Sequence, residues 1–395
     1  MLTSRKPKLL FVCSRPPYPP IGGDRLKNFY LIPELHKTFD LTIVCTGSEP
    51  LPVEGKTYLE QFGKLHFWQK SGFDFMRNVV SWPVRLPVPL QASLYYFKDV
   101  ADQISKLAKR HDGIFCNIIR TAPYAEDLTI PKFCDIGDNN GSYYSHLMKA
   151  RKLSPIALYC LLDQPLIARY ERHVVDTFDH SFLFNPEELN SYNASSKLTL
   201  IPHGVKPSLL EREPVSDSNF SNTLVFLGKM DSLPNMTAVE WFISHVMPLL
   251  PDAIQLAVIG ANPPARIMAL TGPRVRVLGF VEDPYPALHG ALAVVAPMQL
   301  GRGIQNKVLE AMAVGSLCIL TSPPARALEN AEDGREFLIA DEPGQFAELI
   351  QKIAADPGAY SAVRTLARRY IIENHSWERA GSIYTKAVMD YLLRA

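Results

Sequence analysis

Short apolar runs recur along the first half of the chain: LLFVC (9–13), LTIVC (41–45), KLHFW (64–68), GIFCNII (113–119), FCDI (133–136), HSFLF (180–184) and KLTLIP (197–202). Each is four to seven residues long and mostly continuous rather than alternating. That pattern predicts strands buried on both faces. Helical patterns lie between several of them, for example over 24–37 and 98–110. Strands alternating with helices predict an α/β chain with a parallel sheet. The stretch KPSLLEREPVSDSNFSN (206–222) is polar, holds Pro, Ser and Asn, and shows no periodic apolar face, so it reads as a linker. The alternation then restarts with NTLVFLG (222–228), IQLAVIG (254–260), VRVLGF (275–280), ALAVVAP (291–297), SLCILTS (316–322) and EFLIA (336–340). Helix candidates follow over 235–249, 261–270, 284–290, 303–314, 323–330 and 343–355, and 358–395 is mostly helical by pattern.

The pattern therefore predicts two doubly wound, Rossmann-like parallel-sheet domains. The boundaries expected are 1–205 for the first domain, 206–222 for the linker and 223–375 for the second. The final helix, 376–395, is expected to cross back to the first domain. A length of 395 residues agrees with two domains. Open sheets of this kind bind ligands at the carboxyl ends of their strands, so a central cleft faced by both domains is the expected site.

Charge changes the picture in one place. With 41 basic and 40 acidic residues the chain is nearly neutral, which excludes a nucleic-acid binder driven by phosphate neutralisation. Residues 1–110, however, hold 16 Lys/Arg against 9 Asp/Glu. This basic stretch suits an acidic ligand or an anionic surface. Six cysteines without a C-x-x-C pair suggest neither a disulfide framework nor a zinc site. Buried thiols fit a reducing cytosol, and a cytoplasmic location is expected. No apolar stretch reaches the roughly 18 residues needed to span a bilayer.

Two glycine segments carry candidate chemistry. Gly22-Gly23 follow the first strand and open a helix at Asp24-Arg25. Glycines admit a ligand close to the backbone, and a helix start offers free N–H groups. A carboxylate there would cap the helix or bind sugar hydroxyls rather than phosphate. The stronger segment is APMQLGRGIQNKVLEAMAVGSL (296–317). Gly301, Gly303, Arg302 and Lys307 at a helix start form a diphosphate cradle. Glu310, one turn on, suits two adjacent hydroxyls such as those of a ribose. A solvated Lys–Glu pair at i, i+3 is the competing reading.

GRGIQNKVLEAMAVG resembles the donor-site signature of retaining glycosyltransferase family 4, which has the GT-B fold. More narrowly, the chain resembles the sugar transferases of exosortase (PEP-CTERM) exopolysaccharide systems. LLFVCSRPPYPPIGGDRLKNFYLI, LVFLGKMDSLPNMTAVEWF, LAVIGANPP and VRVLGFVEDPYPAL agree in order and spacing. The resemblance implies sugar transfer from a nucleotide donor, a UDP- or GDP-sugar, with retention and without a metal. It implies a donor-binding, charge-stabilising set of Lys229, Arg302, Lys307 and Glu310. Around it stand Gly22, Gly23, Gly228, Asn235, Phe280, Val281, Gly301, Gly303, Ile304 and Gln305. On the acceptor side it implies Asp24, Arg25, Asp135, Asp138 and His203.

The chain departs from the family pattern at three points. Arg302 stands where a second glutamate is usual, and Pro234-Asn235 where a lysine is. In CDIGDNNGS, Asp135 matches an Asp-x-Asp-Ser motif of the narrower group, Gly137 replaces its second Asp and Asp138 is shifted. The acceptor expected is a glycan, a lipid-linked sugar or a small molecule. Two other functions fit the same fold: a nucleotide-sugar epimerase or hydrolase, and a non-catalytic nucleotide- or glycan-binding protein. Finally, residues 67–97 mix aromatics with Lys70, Arg77 and Arg85. They are read either as core packing plus a Pro-rich loop or as a peripheral contact with an anionic membrane.

Overall fold

The computed structural model describes residues 5–21, 23–137, 155–186, 189, 192, 196–299 and 303–394. The chain divides into two compact units, Met1–His203 with Trp377–Ala395, and Gly204–Ser376.

The first unit is built on a seven-stranded parallel sheet in the order β3-β2-β1-β4-β5-β6-β7. Its strands are β1 (Lys8–Cys13), β2 (Asp40–Gly47), β3 (Gly63–Gln69), β4 (Gly113–Asn117), β5 (Lys132–Gly137), β6 (His180–Leu183) and β7 (Leu198–Leu200). Each falls in one of the apolar runs. The runs are continuous because both faces of the sheet are covered. Leu10 and Val12 of β1 enter one core with Ile114 and Cys134. Leu9, Phe11 and Cys13, pointing the other way, enter a second core with Phe115 and Phe133.

The Trp377–Leu392 helix closes that second core. Trp377, Ala380, Tyr384 and Val388 recur at helical spacing and are buried. Trp377 stacks on Tyr30 of the Gly23–His36 helix at 5.8 Å between ring centroids. Gly381 lets the two helices touch, since a Cβ there would stand 2.4 Å from Glu34 Cβ.

The second unit holds a six-stranded parallel sheet in the order β10-β9-β8-β11-β12-β13. The strands are β8 (Thr223–Leu227), β9 (Gln255–Ile259), β10 (Val275–Gly279), β11 (Ala293–Ala296), β12 (Cys318–Leu320) and β13 (Leu338–Ile339). One contiguous core serves the whole unit. Residues 206–222, expected to be a linker, belong to this unit instead. Leu209 and Phe220 are buried in its core. Arg368 donates to the carbonyls of Leu210 and Arg212 at 3.2 and 2.8 Å, which fixes the segment's backbone. A short polar stretch with two apolar anchors shows no period, so the sequence hid its packing.

Candidate functional site

Both sheets reverse strand order once, between β1 and β4 in the first unit and between β8 and β11 in the second. At such a switch point neighbouring loops diverge to opposite faces and leave a crevice at the carboxyl ends of the strands. The glycine segments follow β1 and β11, so both lie at a switch point.

In the second unit, the turn after β8 begins at Gly228, whose N–H donates to Ile259 O at 2.9 Å. Gly260 lies so near that a Cβ on it would stand 1.8 Å from Gly228 O. Asn235 sits in the first turn of the Leu233–Trp241 helix. Its Nδ2 donates to Lys229 O at 2.9 Å, and its Oδ1 accepts from Lys307 Nζ at 2.5 Å. One amide thus ties the loop after β8 to the helix after β11.

Past β11 the chain reaches Gly303, whose φ of 93° is a left-handed value that glycine adopts freely. Ile304 packs against the core, and Gln305 caps the Asn306–Ala313 helix through its backbone. The helix therefore starts later than the 303 expected. Its first amides have no intrahelical partner.

Lys307 is 8% exposed. Its ammonium lies over the Phe226 ring at 4.7 Å and 3.2 Å from Met298 Sδ. Among the described residues no carboxylate pairs with it. Burial pulls it down to about 7. Glu310 lies one turn further on. Burial pushes its carboxyl up, opposed by the charge of Lys206 and by a hydrogen bond from Tyr285. Tyr285 Oη donates to Glu310 Oε2 at 3.4 Å. Tyr285 is held in turn by Asp283, which accepts its N–H at 3.3 Å and pairs in bidentate fashion with Arg212 at 2.9 and 2.7 Å. The solvated Lys–Glu pair is thereby excluded: both side chains face inward to other partners.

Lys229, placed by resemblance among the phosphate cations, keeps its ammonium at the surface, 3.1 Å from Asp231. Phe280, 75% exposed, and Val281 follow the carboxyl end of β10. Gly301 and Arg302 lie outside the described residues.

In the first unit Gly23 opens its helix with no atom within 4 Å of where a Cβ would be, so packing does not require glycine there. Asp24 is neutralised by Arg15, at 3.0 and 2.5 Å, with Arg120 at 3.8 Å. Burial raises its carboxyl, but the bond from Arg15 and the charges of Arg15, Arg120 and Lys27 hold it below the ordinary value. The Nε atoms of Arg25 and Arg120 and Nδ2 of Asn117 are buried without a hydrogen-bond partner among the described residues.

Asp135 differs from expectation. It is fully buried, pairs with Lys27 at 2.8 Å, and accepts from Tyr384 Oη and, at 2.9 Å, from Gly137 N. Both oxygens are engaged and the side chain is 0% exposed, so in this structure it ties β5 to two helices rather than facing an acceptor. His203 packs on Phe184 and on Trp377, at 5.5 and 5.2 Å between ring centroids. Gly22 and Asp138 lie outside the described residues. Sequence reasoning missed Tyr285, Lys206, Arg212, Asp283 and Arg120. Tyr285 lies inside the quoted VEDPYPAL segment, but nothing local marks it. Among the described residues, no three His, Cys, Asp or Glu side chains group as metal ligands, and no helix is long and apolar enough to cross a membrane.

Residues 221–356 match the family described as glycosyl transferases group 1, a span that contains every second-unit candidate from Gly228 to Glu310. No curated protein matches the chain. Among solved structures, sucrose-phosphate synthase from Thermosynechococcus elongatus is similar at 16% identity and a TM-score of 0.70, over 99% of this chain and 100% of that one. Anabaena Alr3699/HepE in complex with UDP is similar at 12% identity and a TM-score of 0.68, over 97% and 100%. A mutant of S. aureus TarM in complex with Fondaparinux, alpha-GlcNAc-glycerol and UDP is similar at 11% identity and a TM-score of 0.65, over 96% and 99%. At these identities the likeness establishes the fold: two Rossmann-like parallel-sheet units of the GT-B class.

Proposed function

We propose that the protein is a retaining glycosyltransferase of family 4 type. It moves a sugar from a UDP- or GDP-sugar to a glycan, lipid-linked or small-molecule acceptor in exopolysaccharide assembly. One observation carries the reading: the buried Lys307 ammonium has no carboxylate partner among the described residues and sits at a helix start beside Asn235. A buried cation without a counter-charge is costly unless an anion completes it. A donor diphosphate is such an anion, and Glu310 one turn away suits ribose hydroxyls. HepE and TarM were solved with UDP, so UDP-sugars are the first donors to try.

In the proposed reaction the glycosyl–phosphate bond breaks and its electron pair goes to the diphosphate. Lys307 and the helix amides stabilise the growing charge. The acceptor hydroxyl bonds to the anomeric carbon on the same face and passes its proton to the leaving phosphate. No enzyme nucleophile is needed. The polar crevice after β1, with Asp24, Arg25 and Arg120, is the acceptor side of this proposal.

The test is a panel of UDP-, GDP-, ADP- and TDP-sugars, with and without acceptors, read as free nucleotide. Acceptor-dependent release is expected. Release without acceptor would mean a hydrolase or epimerase, and donor binding without turnover a binding protein. The anomeric proton coupling of the product reports retention. Lys307→Ala should weaken donor binding by about 1.5–3 kcal/mol, the scale of a hydrogen bond to a charged group. Glu310→Ala should lose most activity, and wild-type turnover at low donor concentration would sink the assignment.

A further inference from the structure

The Gly72–Ser81 helix presents its faces in an unusual sense. Its inward side carries Phe75 and a polar residue, Asn78, which is 2% exposed and donates to the carbonyls of Leu94 and Tyr96 at 3.0 and 2.9 Å. Its outward side carries Phe73, Met76 and Val80, which are 72%, 64% and 75% exposed. These lie at i, i+3 and i+7, a single stripe on a helix. The following turn extends the apolar surface with Val84, 90% exposed, and Leu86. A core helix hides such a stripe, and a solvated helix does not carry one.

Charge says what covers it. Over residues 63–99 there are five Lys/Arg and two Asp/Glu. Lys70 is buried and paired with Asp99 at 2.6 Å, while Arg77 flanks the stripe, 3.6 Å from Asp74. Lys98 is exposed and follows Phe97, whose ring packs on Phe75 at 5.3 Å. A short amphipathic helix with an outward apolar stripe and basic flanks suits the headgroup layer of a negatively charged bilayer. We propose that the Gly72–Ser81 helix and the turn after it form a docking surface for an anionic lipid bilayer. Phe73, Met76, Val80 and Val84 enter the acyl boundary, and Arg77 stays with the headgroups. The surface is independent of the sugar-transfer reading and needs no donor to be seen.

The test is flotation of the full chain with phosphatidylcholine vesicles, with and without phosphatidylglycerol. Wild type should float with the anionic vesicles and lose this at high salt. The triple change Phe73→Ser, Met76→Ser, Val80→Ser should reduce flotation at least about tenfold, and Arg77→Gln about fivefold, as one basic residue at an anionic surface contributes. All four side chains are largely exposed, so circular dichroism should be unchanged. Absence of wild-type flotation, or flotation of the triple variant equal to wild type, overturns the proposal. So does light scattering that finds a dimer which the triple variant dissolves, since a second copy would then cover the stripe.

Discussion

Lys307 places an amine where little water reaches it, and this makes the second unit sensitive to pH. Its ordinary value of 10.5 falls to about 7 through burial. Between those two values the unfolded chain keeps a proton that the folded chain has released, so stability rises with pH across that window. Below the lower value both states are protonated and the folded state bears the whole desolvation cost. Lys307→Met should therefore stabilise the protein by about 1–4 kcal/mol at acidic pH, as apolar replacement of buried charge does. The gain should shrink towards zero as pH approaches the ordinary lysine value. Urea unfolding of both proteins across pH measures this, and a gap that does not change with pH would contradict it. At this scale the sequence was informative about residue identity. Lys307 and Glu310 stood out because glycines and a helix start surrounded them. Asn235 was expected near the donor by resemblance, but nothing within a few positions marks it as a bridge to Lys307, or Tyr285 as the support of Glu310.

Among the elements, the strands were the most legible part. A strand buried on both faces needs an unbroken apolar run, and such runs are visible without any tertiary knowledge. Helix starts were less so, since Gly303, Ile304 and Gln305 lie outside the helix that begins at Asn306 yet share its pattern. Asp135 shows how a motif can mislead. Read along the chain it matched an Asp-x-Asp-Ser motif and was expected on the acceptor side. In the fold, parallel pairing of β5 with β4 and β6 sets it beneath Lys27 and Tyr384. Asp135→Asn leaves Lys27 buried beside a neutral amide and should cost about 3–5 kcal/mol, the range for breaking a buried pair. Tyr384→Phe removes one hydrogen bond to a charged group and should cost about 1.5–3 kcal/mol. Denaturant titration distinguishes the two, and equal, negligible losses would mean the triad is not structural.

Across the whole molecule, the second unit is one continuous stretch, Gly204–Ser376, while the first is completed from both ends of the chain. This asymmetry has a consequence for truncation. Removing 377–395 strips Trp377, Tyr384 and Val388 from the first unit's core, each large side chain contributing about 1.5–3 kcal/mol by burial. The loss approaches the whole stability of a domain, so the first unit should lose cooperative unfolding. A fragment of 204–376, by contrast, keeps its entire core and should show a single thermal transition by calorimetry. A fragment that unfolds without a transition would place essential contacts elsewhere. The sequence by itself determined the two sheets, their parallel sense and the helix that carries Lys307 and Glu310. Those features follow from hydrophobic period and local backbone chemistry. Only the tertiary structure decided that Lys307 meets Asn235 across 72 positions, that Glu310 meets Tyr285 across 25, and that Tyr384 seals Asp135 across 249. Such contacts depend on strand order and helix packing, which no local pattern encodes.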